Sequence, residues 1–260
     1  MPTTRVALFV ACLCCLSYTF LPGCASTSEN TEDTTSAEEH VATPTADDSA
    51  KAEPDGAVPL LDLPLKHNMG RGAEDFTLEK GWVPTDFYGK GEVRIEGDTA
   101  YMAEGNDMTG ITWTGPLVRM NYEISLEAKR TSGNDFFCGL TFLYGNDPCS
   151  FIVGGWGGTC VGISSIDYQD AYNNETARFR DFNLDQWYLI RVKVSPDKIE
   201  AWIDEEQMVD VSTKDREIGI RLEVDKSRPL GIATWRTGGA VRNITITSFG
   251  GEKPETITLN

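Results

Sequence analysis

Between Leu60 and Phe249, apolar and polar residues alternate in runs of seven to nine, and no stretch carries a convincing amphipathic helical repeat. Asn121–Lys129 places Tyr122, Ile124, Leu126 and Ala128 on one face, and Tyr188–Val194 does the same with Ile190 and Val192. Lys198–Asp204, Val241–Thr247, Phe136–Leu143 and Leu230–Arg236 follow the same pattern. Side chains on a strand point alternately to its two faces, so a period of two marks strands with one face buried. Gly145-Asn146-Asp147-Pro148, Ser195-Pro196-Asp197 and Thr237-Gly238-Gly239 punctuate the runs as turns. About a dozen short strands and almost no helix predict an all-β sandwich of two packed antiparallel sheets, a single domain over 59–250 with a tail at 251–260.

The residues ahead of the sandwich are of two other kinds. Arg5 precedes an apolar run, Val6 to Phe20, which ends in Leu21-Pro22-Gly23-Cys24. A basic head, an apolar middle and a small-residue end describe an export signal over 1–24. Its ending resembles the lipobox of bacterial lipoproteins. That resemblance implies a diacylglyceryl group on Cys24, and Ala25 after it favours the outer membrane. An uncleaved anchor is the alternative, since about 18 apolar residues nearly span a bilayer. Both readings place the rest of the chain outside the cytoplasm, in a cell envelope and facing the periplasm or the exterior. From 25 to 58 the chain holds ten Ser or Thr, nine acids, one lysine and no aromatic residue. Such a segment buries too little apolar surface to order itself and reads as a disordered tether.

The whole chain carries a net charge of −17, and removing 1–24 takes away one arginine and no acid. An acidic surface lacks the clustered lysine and arginine that nucleic acid requires, so nucleic acid is not an expected partner. Seven cysteines reduce to Cys138, Cys149 and Cys160 beyond the anchor. One disulfide with a leftover thiol, or three thiols acting as small apolar residues, are both compatible with an oxidising compartment. Only two histidines occur, His40 in the tether and His67 at the edge of the domain. The sandwich therefore has no histidine for a catalytic triad and no His-rich zinc site.

Four landmarks, in order, carry a resemblance over roughly 76–249. They are Gly81-Trp82; Asn121-Tyr122-Glu123-Ile124; Gln186-Trp187-Tyr188 with Arg191-Val192; and Ala201-Trp202-Ile203-Asp204 before Val209-Asp210-Val211. Pro229-Leu230-Gly231-Ile232 and Val241-Arg242-Asn243-Ile244 complete the series. The chain is similar to the 3-keto-disaccharide hydrolase family, a concanavalin A-like jelly roll related in fold to laminarinase-type glycoside hydrolases. The resemblance implies action on glycans, by hydrolysis or by elimination beside a keto group. The chain departs from it where the family's penultimate strand carries a Gly-Leu-Gln-Asp-His-Gly-Gly-like run. Here Gly231-Ile232-Ala233-Thr234-Trp235 puts Trp235 at the histidine-like place. Phe151-Ile152-Val153-Gly154-Gly155-Trp156 likewise replaces polar positions with apolar ones.

The Glu-x-Asp-x-x-Glu run of laminarinase-type enzymes is absent: Glu223 and Asp225 stand two apart, but Arg228 takes the third place. Glu123 and Glu127, four apart on a strand, lie about 13 Å apart, too far for a retaining pair at about 5–5.5 Å. Acids from separate strands are the remaining source of general acid and base, and Asp135, Asp167, Asp170 and Glu175 are the candidates. Arg178 and Arg180 are candidates to stabilise negative charge. The plainer reading of these acids is solvated loop residues. The loop Ser164–Thr176 mixes carboxylates, amides and tyrosines of the sort calcium takes, without a recognisable cage; no cofactor is expected, and calcium is the alternative. Trp156, flanked by two glycine pairs, is a candidate platform for a sugar ring, with Trp235, Tyr168 and Tyr172 completing the surface. Its alternative is an apolar plug in a tight hairpin. A non-catalytic module binding a glycan or small saccharide, and an interaction domain in an envelope assembly, stand beside the enzyme reading.

If Cys24 is lipidated, Cys24→Ala yields a soluble or precursor species that no longer incorporates a fatty-acid analogue. Equal labelling of variant and wild type would refute the anchor.

Overall fold

Two stacked sheets enclose a core that includes Trp82, Trp113, Phe137, Phe142 and Phe151. The computed structural model describes residues 65–69, 76–78 and 81–257; the expected signal, Cys24 and the tether lie outside them. The strands are β1 (Leu65–Met69), β2 (Phe76–Leu78), β3 (Trp82–Pro84), β4 (Val93–Glu96), β5 (Thr99–Met102), β6 (Met108–Trp113), β7 (Tyr122–Gly133) and β8 (Cys138–Tyr144). Then come β9 (Asp147–Gly155), β10 (Cys160–Ser164), β11 (Arg178–Phe179), β12 (Tyr188–Ser195), β13 (Lys198–Ile203), β14 (Glu206–Ser212), β15 (Leu230–Trp235) and β16 (Thr237–Ser248). The one helical element among the described residues that bears on the site is a 3-10 turn at Leu222–Ser227. The all-β two-sheet sandwich expected from the alternation is the observed fold.

One sheet of nine strands runs β14-β13-β12-β7-β16-β1-β2, with β5 on β16 and β4 on β5; the other, of seven, runs β11-β10-β9-β8-β15-β6-β3. Pairing is antiparallel except for β1 beside β16, and His67, expected at the edge of the domain and outside the sandwich, instead lies within β1, opposite Ile246 on one side and Phe76 on the other. The register sets one apolar face against the next. Ile190 faces Leu126 and Val192 faces Ile124 across β12 and β7, and the same two residues face Ile203 and Ala201 across β13. A one-residue slip would turn every one of these to solvent, so burial specifies the register. Each such side chain, fully buried, contributes about 1.5–3 kcal/mol before ordering costs.

The core ends on Trp82 and Trp113, both fully buried, with rings 5.6 Å apart and 60° from coplanar. Gly81 and Gly115 lie flat against the Trp113 ring, where an added Cβ would come within 2.7 and 2.4 Å of it. The Gly81-Trp82 landmark thus has a packing cause. Thr237-Gly238-Gly239 belongs to β16 rather than to a turn, and the chain passes from the seven-stranded to the nine-stranded sheet at Arg236, which has a positive φ of 43°. A Cβ on Gly238 would meet two hydroxyl oxygens on β7 at 2.6 Å, so these glycines serve close strand contact. Cys138, Cys149 and Cys160 are free buried thiols, and burial raises them to about 12, 12 and 11. Such thiols are inert packing groups at neutral pH. Past β16 the tail returns, with Glu255 exchanging backbone hydrogen bonds with Leu117 and its side chain bound to Arg119.

Trp113→Ala removes the largest of these contacts and should cost about 3–5 kcal/mol, a melting point lower by roughly 10 °C at this size. A thermal melt within a degree or two of wild type would show that this end of the core is dispensable.

Candidate functional site

The seven-stranded sheet is covered on both faces. Phe151, Val153, Val161 and Ile163 point into the main core, while Ile152, Cys160 and Ala233 point the other way. These outward residues join Phe87, Met108, Phe136, Ala171 and Val224 in a second, smaller apolar cluster. Two segments form its roof. Ser165 and Asp167 pair through the backbone with Gly219 and Glu217, which ties the 165–177 loop to the approach of the 3-10 turn. Asn174 stitches that loop to the sheet: its Nδ2 donates to the carbonyls of Ile163, Gln169 and Asp170 at 2.8–3.0 Å. Thr176 Oγ1 accepts from Ile163 N at 2.9 Å and donates to Asn174 Oδ1. The Asn174-Glu175-Thr176 triplet is a structural staple.

A cleft of about 250 Å³ opens on this face, lined by Asp135, Phe136, Ile152, Trp156, Ser164, Arg221, Glu223, Val224 and Trp235. Trp156 occupies the β9–β10 turn with a φ of 49° and is 40% exposed. The glycines around it answer to a buried arginine. Arg130 on β7 is only 6% exposed, and its Nη2 donates to the carbonyl of Gly158 at 2.9 Å and, more weakly, to that of Gly154 at 3.5 Å. A Cβ on Gly154 would sit 2.8 Å from that nitrogen, and both glycines have positive φ, 78° and 107°. Any larger residue would collide with the guanidinium or strain the backbone. Asp135 closes the arrangement: its Oδ1 accepts from Phe136 N at 2.8 Å and its Oδ2 from Gly157 N at 3.3 Å. Burial pulls the Arg130 guanidinium below its ordinary range, and nearby Asp135 pulls it back up.

Trp235 also lines the cleft, its ring 6.5 Å from that of Phe136 and tilted by 33°, with the Arg236 guanidinium 5.5 Å from its ring centre. Ser164 is 1% exposed, and its hydroxyl is buried without a hydrogen-bond partner. An orphaned hydroxyl costs about 1–3 kcal/mol unless a water or ligand supplies the missing bond. Arg221 binds Glu223 through two nitrogens and Asp170 through a third, at 3.0 Å. That ion pair holds the Glu223 carboxyl below its usual range.

The residues singled out in the sequence divide into three groups. Asp135, Trp156 and Trp235 meet in the cleft, and Asp170 braces Arg221 at its wall. Tyr172 stands beside Trp156, with ring centres 6.1 Å apart. Asp167 and Glu175 instead share Arg216, and Tyr168 is 82% exposed with its hydroxyl donating to Glu217. Arg178 donates to the carbonyls of Glu175 and Ala177. Arg180 binds Asp204 at 2.7 Å. Neither arginine lines the cleft. Glu223 and Ser164 do line it, and the sequence offered little to find them: Glu223 entered only as part of a failed spacing, and Ser164 is one serine among many.

The carboxylates of this face whose ionisation is displaced are all displaced downward. Asp167 is lowered by the Glu217 backbone N–H and then by Arg216, Glu175 by Arg216, and Glu223 by Arg221. A general acid for glycoside cleavage needs the opposite shift. Among the described residues no group of three or more His, Cys, Asp or Glu side chains is placed to hold a metal ion.

No protein-family model matches the chain, and no curated protein matches it in sequence. The resemblance to 3-keto-disaccharide hydrolases therefore rests on its sequence landmarks. The solved structures it is similar to include carbohydrate-binding modules and glycosyl-hydrolase-like proteins. The carbohydrate binding module CBM66 from Bacillus subtilis aligns with a TM-score of 0.47 at 11% identity, over 71% of this chain and all of that one. Domain 4 of AbnA, an extracellular arabinanase from Geobacillus stearothermophilus in complex with arabinotriose, aligns at 0.42 and 15% identity, over 64% and 82%. The Crh5 transglycosylase aligns at 0.43 and 14%, over 72% and 74%. Likeness this distant transfers no function to the chain.

The lowered carboxyls give a signed pH dependence. Groups with depressed folded values stabilise the roof at neutral pH and lose that contribution as pH falls through the carboxylate range, below about pH 4. Hydrogen exchange in 165–177 should therefore accelerate there before the strands open, and Arg216→Ala should remove most of the step. A pH-independent loop would contradict it.

Proposed function

We propose that the sandwich is a glycan-binding module, carried outside the cytoplasm on a lipid anchor at Cys24. The observation that carries this reading is the composition of one cleft. Trp156, Trp235 and Ser164 all line it, and the buried Ser164 hydroxyl has no hydrogen-bond partner. A sugar ring has an apolar face and a rim of hydroxyls. Stacking on an indole removes apolar area from water at about 25 cal/mol per Å². Ser164 Oγ, the free lone pairs of Asp135 and the Arg221–Glu223 pair supply polar partners for the rim. Because hydrogen bonds already hold Asp135 and the Arg221–Glu223 pair in place, little ordering cost remains for them when a ligand arrives. The tether would hold the module clear of the membrane surface.

A second reading keeps the chemistry of the 3-keto-disaccharide hydrolases. Asp135 and Glu223 line the same cleft, the minimum an acid–base mechanism requires. Glu223 is held ionised by Arg221, which suits a charged contact to the ligand better than proton donation.

A calorimetric titration against neutral oligosaccharides, with product analysis on each mixture, separates the readings. The binding reading expects heat without cleavage. Trp156→Ala should abolish the heat while lowering the melting point by no more than about 3 °C, since a 40% exposed indole supports little of the core. Cleavage products lost in Asp135→Asn would establish the hydrolase instead.

A further inference from the structure

The cleft does not end at Trp156. The Trp156 ring lies 6.1 Å from that of Tyr172, tilted by 30°, and Tyr172 lies 5.7 Å from Phe179 at 78°. The three rings are 40%, 50% and 61% exposed, and none belongs to either hydrophobic cluster. Phe179 sits on β11, the last strand of the seven-stranded sheet, so nothing in that sheet lies beyond it. No wall rises on the outer side of the turn either, because a Cβ added to Gly157 would have no atom within 4 Å. A contiguous strip of exposed aromatics on a soluble domain marks a contact surface.

We infer that the ligand is a neutral glycan chain, whose end enters the cleft while the following residues run over Trp156, Tyr172 and Phe179. The inference rests on the glycan-binding reading of the cleft and extends it from a single sugar to a polymer. Continuity identifies the occupant: Trp156 belongs to both surfaces, so whatever stacks on it from the cleft leaves along the strip. The cleft itself, about 250 Å³, lies below the usual range for a pocket that encloses a whole ligand, roughly 300–1,000 Å³. Its charges select against acidic chains. Asp135 and Glu223 line the cleft and Asp170 stands behind it, three carboxylates against Arg221 in the wall and Arg130 beneath the hairpin, while Arg236 beside Trp235 is already paired with Asp107. A uronate would add a fourth negative charge to a site already in excess.

Titration of the full chain with gluco-, manno-, xylo- and arabino-oligosaccharides, from disaccharide to hexasaccharide, tests this directly. For the series that binds, affinity should rise by about tenfold or more with length, a gain of about 1.4 kcal/mol. Phe179→Ala should leave the disaccharide within about twofold of wild type and remove most of that gain. Phe179 lies outside the cleft lining and both apolar clusters, so this variant should fold; an unchanged melting point checks it. Affinity independent of length, an unaltered length dependence in Phe179→Ala, or tighter binding of uronate chains would overturn the inference while leaving the binding reading intact. A shift in oligomeric state with Phe179→Ala and no effect on sugar would assign the strip to a protein contact. Failure of every series to bind would instead remove the glycan-binding reading on which the inference rests.

Discussion

The geometry of the site depends on a guanidinium buried under a hairpin. Arg130 is almost fully enclosed, and its Nε has no partner. Burying such a charge is expensive unless the surroundings supply hydrogen bonds. Here the supply comes from the carbonyls of Gly154 and Gly158, with the Phe137 ring 5.3 Å from the guanidinium carbon and Asp135 close by. To offer those carbonyls the turn must adopt positive φ and come down onto the arginine. Only glycine meets both demands. Trp156, between the two glycines whose carbonyls accept from Arg130, is left 40% exposed at the lip of the cleft.

The rest of the face follows from small residues. Gly110, Gly139, Gly162 and Gly231 lie where an added Cβ would approach neighbouring atoms within 2.5–3.0 Å. They let the covering segments settle against the sheet, closing the second apolar cluster under the loops. The cleft lies where the roof leaves a gap between the β9–β10 turn, the 3-10 turn and the end of β15. Of its acids, Glu223 is held by Arg221 and Asp135 accepts from the backbone N–H groups of Phe136 and Gly157. A recognition surface gains from that arrangement. Proton transfer does not.

Much of the sandwich was legible because alternation is a local signal. The strand runs around Tyr122, Ile190, Ile199 and Ile246 all read correctly from period two. The turn at Thr237-Gly238-Gly239 did not, because glycine pressed against a neighbouring strand looks the same in sequence as glycine in a turn. Within the site, Trp156 and Trp235 stood out by size and setting. Arg130, Ser164 and Glu223 did not, since their roles exist only once β7, β10 and the 3-10 turn are brought together across gaps of 34 to 93 residues. Of the acids in the 165–177 loop, Asp170 turns towards the cleft wall while Asp167 and Glu175 close on Arg216. That division was invisible to spacing.

Six tryptophans make the central claim directly observable. Trp156 and Trp235 line the cleft, Trp82 and Trp113 lie in the core, and Trp187 and Trp202 carry cations over their rings on the nine-stranded side. Indole N–H resonances, followed during titration with a neutral oligosaccharide, report each one separately. Shifts confined to Trp156 and Trp235, saturating together, are the result the account predicts. Saturating shifts at Trp187 or Trp202, with Trp156 and Trp235 unmoved, would place the glycan on the opposite sheet and contradict it.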